Sequence, residues 1–178
     1  MIGKAYTVNA VDDFLTILIA LKDVVEDEIL VIKGSSEFAL AGEMFVLEAK
    51  NRNLAGIIVD GSVRDTSSIK EIRFPVYART ICPKACNVEK IYETRTTIKI
   101  GKLEISQGDI LFGDDDGIIL IPLDSIEDVI LKAKEIQTSE NKIIQRLKKG
   151  ESLFHFLNFD EHLENVKNSK DSRLRFKL

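Results

Sequence analysis

The chain has 178 residues, 44% of them hydrophobic and 30% charged, enough to bury a core of its own. Its net charge of −4 argues against nucleic acid or an anionic membrane surface as partner. Its longest apolar runs, such as Phe14 to Leu21, are too short to span a bilayer, and its first residues lack the order of a signal peptide, so a cytoplasmic location is expected.

Ile2 to Val8 reads as a strand, followed by an Asx-started helix from Asp12 to Val25 with Phe14, Leu15, Leu18, Ile19 and Leu21 as its apolar stripe. Glu28 to Ile32 is a short buried strand ending before Gly34. Gly42 opens a helix that runs to Arg52. Gly56 to Asp60 is an apolar run of strand length that Gly61 closes, Ser67 to Ile72 is helical, and Val76 to Ala78 is a strand. Strand and helix alternating in short succession predict βαβ units and a mainly parallel sheet. Four short segments, Thr96–Ile100, Leu103–Ile105, Ile110–Phe112 and Ile118–Ile121, are separated by glycines and predict a small antiparallel or barrel-like element. A long helix from Ser125 to Lys149 follows, with Ser125 and Asp128 as a capping pattern and Gly150 as its stop. The chain is expected to form one domain over residues 1–150, with a helical extension and frayed tail over 151–178.

Chemistry concentrates between Gly42 and Ala78. Gly42 permits close approach to a ligand, and the first amides of its helix, those of Glu43, Met44 and Phe45, point at a carboxylate or enolate oxygen. The strand ending at Asp60 delivers Arg64 and Asp65 to the carboxyl edge of the sheet, where ligands of open α/β folds gather. Arg64 offers a planar fork to a carboxylate, and Asp65 a hard oxygen to a divalent ion. Taken alone, the same dipeptide reads as a helix cap with a surface ion pair.

The strings Gly-Ile-Ile-Val-Asp-Gly-Ser-Val-Arg-Asp (56–65), Phe-Pro-Val-Tyr-Ala-Arg (74–79) and Gly-Asp-Ile-Leu-Phe-Gly-Asp-Asp-Asp-Gly-Ile-Ile-Leu-Ile-Pro (108–122) resemble the central signature of the RraA-like family. That family includes 4-hydroxy-4-methyl-2-oxoglutarate aldolases and a bacterial regulator that inhibits a ribonuclease. The resemblance implies a compact α/β/α swivelling-type fold assembled as a homotrimer. It also implies a class II aldolase that cleaves a 4-hydroxy-2-oxo diacid to pyruvate and also decarboxylates oxaloacetate, with Mg²⁺ or Mn²⁺ as cofactor. Family aldolases carry a glycine, about twenty residues, Arg-Asp, two residues and an acid. Gly42, Arg64 and Asp65 match; the acidic position falls on Ser68, with Glu71 one turn further on. By this resemblance Asp65 holds the metal, and Arg64 with the amides after Gly42 grips the pyruvyl group. Glu43 orients a water, and Glu140 of a neighbouring subunit lies near the site. Members usually carry a helical segment before the strand that here begins at Ile2, and its loss is expected to remove part of the pocket or of a subunit contact. The alternative reading is a non-catalytic protein that binds a ribonuclease; the presence of Asp65 favours the enzyme, and Ser68 favours the binder. A methyltransferase reading finds no glycine-rich cofactor loop.

The remaining motifs have simpler explanations. Cys82 and Cys86 supply half a tetrahedral metal site at most and read as two unpaired thiols. Gly113-Asp114-Asp115-Asp116-Gly117 reads as a tight turn, since it lacks the spaced ligands of a calcium loop. His155 and His162 are expected on one face of a plain amphipathic helix. The cluster Lys142, Arg146, Lys148 and Lys149 suits the negative end of its helix.

Overall fold

A computed structural model describes residues 1–177. The chain divides into two compact units, Met1–Ile126 and Glu127 onward. The long helix groups with the C-terminal segment. Ile143 is the only buried residue of that helix.

The first unit runs β1 (Ile2–Asn9), α1 (Leu15–Asp23), β2 (Glu28–Lys33), β3 (Ala39–Ala41), α2 (Glu43–Asn51), β4 (Gly56–Val63), α3 (Thr66–Ile72) and β5 (Val76–Ile81). After an irregular segment over 82–97 come β6 (Ile98–Ile100), β7 (Leu103–Ile105), β8 (Ile110–Asp114) and β9 (Gly117–Ile121). The main sheet has the order β3-β4-β2-β1-β8-β9, with β5 also pairing β4. β1 to β5 pair in parallel, whereas β8 and β9 join antiparallel. The antiparallel element expected from the sequence is thus divided: β6 and β7 form a separate hairpin, and β8 and β9 extend the main sheet.

Leu30, Val31, Ile32, Ile57 and Val59 are almost fully buried because both faces of the central strands are covered. One face packs Tyr6, Val8, Leu30, Ile32 and Val59 against Ile17, Leu21, Val46 and Ile69 of the helices. The other packs Ala5, Ile29, Val31 and Ile58 against Ile98 and Ile105 of the hairpin and Leu111 of β8. Each such aliphatic side chain contributes about 1.5–3 kcal/mol by leaving water.

Two differences from expectation shape the site. Gly61 does not close β4: Ser62 and Val63 continue it by pairing with Ala39 and Ala41 of β3, a strand too short to read from sequence. A Cβ at Gly61 would lie 2.4 Å from the Ser35 carbonyl oxygen, so the glycine serves a close approach within the strand. Helix α1 begins at Leu15, not Asp12, because Asp12 adopts a left-handed φ of 56° and Asp13 turns its carboxylate to other work.

That work is to hold the 82–97 segment, a strap across the carboxyl edge of the sheet. The Asp13 carboxylate, 1% exposed, accepts from the amides of Glu89 (2.7 Å), Lys90 (3.0 Å) and Leu15 (2.9 Å). Nearby, the Phe14 amide donates to the Asn87 carbonyl at 3.0 Å, the Tyr92 amide to Thr16 Oγ1 at 2.8 Å and the Ala39 amide to the Lys84 carbonyl at 2.7 Å. Both cysteines of this region are free thiols.

In the C-terminal unit, α4 (Ile126–Leu147) follows a 3₁₀ turn at Leu123–Ser125 and stops at Gly150, which has φ +90°. The Ser125 hydroxyl donates to its neighbour Asp124 at 3.0 Å, so the anticipated reciprocal cap with Asp128 is replaced by a local contact. A second 3₁₀ turn (Leu153–Phe156) and α5 (Phe159–Lys167) complete the unit. This separates the two histidines: His155 lies in the turn, and His162 in α5 bonds Ser172 Oγ through Nδ1 at 3.0 Å. The expected frayed tail is pinned instead. Asn158, 3% exposed, accepts from the Arg175 amide at 2.8 Å and donates to the Arg173 carbonyl at 3.2 Å, and Phe176 bridges to Leu157. No described helix is long and apolar enough to cross a membrane.

Candidate functional site

The site is built where β3 leads into α2 and β4 leads into α3, at the carboxyl edge of two adjacent parallel strands. The Arg64 amide donates to the Ala41 carbonyl at 3.0 Å, tying the two connections together. The next residue, Asp65, takes a left-handed conformation (φ 57°, ψ 37°), which aspartate tolerates better than most side chains. Its carbonyl accepts the first bond of α3 from Ile69 at 3.0 Å, but its carboxylate does not cap that helix. Oδ2 instead accepts from the Glu43 amide at the start of α2, at 3.2 Å, and lies 3.5 Å from Arg64 Nε.

Gly42 is required here for space. Its φ of −153° suits any residue, but a Cβ would meet Asp65 Oδ2 at 2.5 Å and Arg64 Cγ at 3.1 Å. Among the described residues, the terminal nitrogens of Arg64 and Oδ1 of Asp65 make no hydrogen bond. Both side chains are about two-fifths exposed, so the pair is neither buried nor locked.

The structure brings Gly42, Met44, Phe45, Arg64 and Asp65 to the wall of one cavity of about 530 Å³. Two sequence expectations change. The Glu43 amide is taken by Asp65, and the Phe45 amide bonds back to the Gly42 carbonyl at 3.1 Å, leaving only the Met44 amide open of the three. The Glu43 side chain does not line the cavity. Glu140 lies on α4 in the C-terminal unit, beside Lys132, Glu135 and Phe176. Ser68 is half-buried and Glu71 exposed on α3, and neither lines the cavity.

Sequence reading missed the rest of the lining: Phe14, Leu18, Leu21 and Leu40, with Lys22, Glu48 and Arg52 at the far end. Within the apolar stripe of α1, Leu18 remains 40% exposed. Two other signature residues prove structural. Asp60, mostly buried, accepts from Arg79 Nε at 2.6 Å and also from Nη2, joining β4 to β5.

No group of three or more His, Cys, Asp or Glu stands ready to hold a metal among the described residues. A single carboxylate still fits a hard cation such as Mg²⁺, which keeps several waters and takes further oxygens from its substrate. Asp65 Oδ1 is the oxygen that meets this requirement.

The chain is 34% identical over 128 residues to an uncharacterised protein of Methanocaldococcus jannaschii, matching 72% of this chain and 62% of that one. It thus spans less than two thirds of that relative's length. It is 34% identical over 143 residues to a Halalkalibacterium halodurans protein provisionally named a 4-hydroxy-4-methyl-2-oxoglutarate aldolase, covering 79% and 68%. Among solved structures, the RNA-processing inhibitor RraA from Thermus thermophilus superposes with a TM-score of 0.65 at 28% identity, over 68% of this chain and 75% of that one. The family model described as Aldolase/RraA matches residues 1–120, and the chain belongs to the RraA-like family.

Proposed function

We propose that this protein is a divalent-metal-dependent lyase that releases pyruvate from 4-hydroxy-2-oxo diacids and decarboxylates oxaloacetate. The observation that carries the reading is the convergence of a guanidinium with open terminal nitrogens, a half-exposed carboxylate and the first turn of α2 on one cavity. The aldolase name of the Halalkalibacterium halodurans relative supports the same class of reaction.

In this reading Arg64 binds the substrate carboxylate through its terminal nitrogens, and the Met44 amide adds a donor at the positive end of α2. Asp65 holds Mg²⁺ or Mn²⁺, which when bound supplies positive charge against the 2-oxo oxygen. Cleavage breaks the C3–C4 bond; its electron pair passes into the enolate of pyruvate, the C4 hydroxyl gives up its proton, and C3 later takes one. Arg64 stabilises the charge that develops. Two elements rest on the family resemblance alone, namely a homotrimeric assembly and the approach of Glu140 from a neighbouring copy.

Pyruvate release from 4-hydroxy-4-methyl-2-oxoglutarate and from oxaloacetate, coupled to lactate dehydrogenase with and without Mg²⁺ or Mn²⁺, tests the reading. Asp65→Ala should lower kcat/KM at least ~100-fold, the scale on which a transition-state charge contact counts. Wild type without metal-stimulated turnover, or an Asp65→Ala variant of normal activity, would sink it.

A further inference from the structure

The strap over 82–97 grips the base of the candidate site as well as α1. Where it begins, the Cys82 amide donates to the carbonyl of Val63, the residue before Arg64, at 3.1 Å. Two residues on, the Lys84 carbonyl accepts from the Ala39 amide at 2.7 Å, and Ala85 pairs in parallel with Ala39. Ala39 also pairs with Ser62 of β4, so β3 lies between β4 and the strap, and both Ala39 and Ala85 line the cavity. Of residues 82–97 the chain buries only Cys86, so hydrogen bonds more than packing hold this segment. Asp13 accepts two of them, from the amides of Glu89 and Lys90, and Thr16 Oγ1 accepts a third from Tyr92. Neither Asp13 nor Thr16 lines the cavity.

We propose that Asp13 is a positioning residue for the candidate site: its carboxylate holds the strap, and the strap holds β3 and the end of β4, where Arg64 and Asp65 emerge. The inference rests on the reading that Asp65 binds a divalent cation. The linkage is a series of hydrogen bonds. Asp13 fixes residues 89 and 90, the strap fixes Ala39 and Val63, and the Ala41 carbonyl accepts the Arg64 amide at 3.0 Å. Just past that clamp Asp65 turns left-handed, and the Glu43 amide, at 3.2 Å, orients its carboxylate. With the strap loosened, β3 is bonded along one edge only, and α2, which starts directly after it, is free to shift against Asp65. Hydrogen bonds that orient a metal-binding carboxylate count for ~10–100-fold in metal affinity.

Mn²⁺ binding to the full chain, read from the electron paramagnetic resonance of the free ion, tests this without turnover. Asp13→Asn, assayed well below its melting temperature with circular dichroism confirming the fold, should bind Mn²⁺ at least ~10-fold more weakly than wild type. Thr16→Val, which removes the acceptor of the Tyr92 amide, should lose about 3-fold, the scale of one hydrogen bond, and carries the test if Asp13→Asn does not fold. Leu111→Ala is the control for lost stability alone. Leu111 is fully buried on the face of the sheet away from α1, so this variant should lower Tm and leave Mn²⁺ affinity unchanged. Wild-type affinity in folded Asp13→Asn, or in Thr16→Val where Asp13→Asn fails to fold, overturns the positioning role and leaves the lyase reading intact. A loss in Leu111→Ala as large as in Asp13→Asn overturns it equally. Wild type that binds no Mn²⁺ overturns this inference and the lyase reading together.

Discussion

Replacing Asp13 should damage the first unit more than any exposed carboxylate would. Its side chain is 1% exposed and accepts three backbone amides, two from the strap and one from the start of α1. In Asp13→Ala those amides lose their partner; each costs about 1–3 kcal/mol if left unsatisfied, and water entry offsets some of it. A net loss of ~3–5 kcal/mol lowers Tm by roughly 6–20 °C in a chain of this size. Asp13→Asn should be nearly as harmful, because its amide nitrogen would face donors in place of an acceptor. The pH dependence gives an independent check. Burial pushes the Asp13 carboxyl up, but the amides of Glu89, Leu15 and Lys90 and the Lys90 charge outweigh it and hold the group below the usual carboxylate range. A carboxyl lowered on folding contributes stability that is complete above its unfolded value, about 3.9, and is lost as pH falls through the folded value. The Tm gap between wild type and Asp13→Ala should therefore hold steady from pH 8 to 5 and narrow below about pH 4. Thermal unfolding by circular dichroism across that range reads it out. A gap under about 1 °C at pH 7, or one unchanged at pH 3, would refute the role assigned to the carboxylate.

Gly42→Ala should fold with little loss, because the backbone at this position is extended, yet weaken Mg²⁺-dependent 2-oxo acid binding by ~10–100-fold through displacement of Asp65 from the Glu43 amide. Unchanged calorimetric affinity would show that the Asp65 position is not critical. With iodoacetamide at pH 8, Cys82, which is partly exposed, should react at least ~10-fold faster than Cys86. Burial, aided by the charges of Asp12 and Asp13 and by Cys82, pushes the Cys86 thiol up to about 11. Equal labelling rates of the two peptides by mass spectrometry would overturn this.

The regular elements were legible where one segment carried its own periodicity. The Ile57–Val59 run and the Val46–Ala49 helix needed no partner to be read. Features that depend on distant segments were not. β3 has three residues and exists only because β4 continues past Gly61 to meet it. The strap has no periodicity at all; its order comes from Asp13 and Thr16, some seventy-five residues earlier in the chain. The tail looked frayed because its charges outnumber its apolar residues, while a single buried asparagine supplies the bonds that hold it.

The candidate site shows the same limit at finer scale. Gly42 and Asp65 are separated by one helix, one turn and one strand, and β3 and β4 lie side by side in parallel, so both residues must arrive at one edge of the sheet. Spacing therefore predicts their proximity. It does not predict the contact, which depends on Asp65 entering the left-handed region and aiming its carboxylate backwards at α2. The aspartate does not cap its own helix; it accepts from the first amide of its neighbour's, and this choice decides which groups remain for a ligand. With the Glu43 amide satisfied internally, a substrate anion is left the Arg64 terminal nitrogens and the Met44 amide, and a cation is left Asp65 Oδ1.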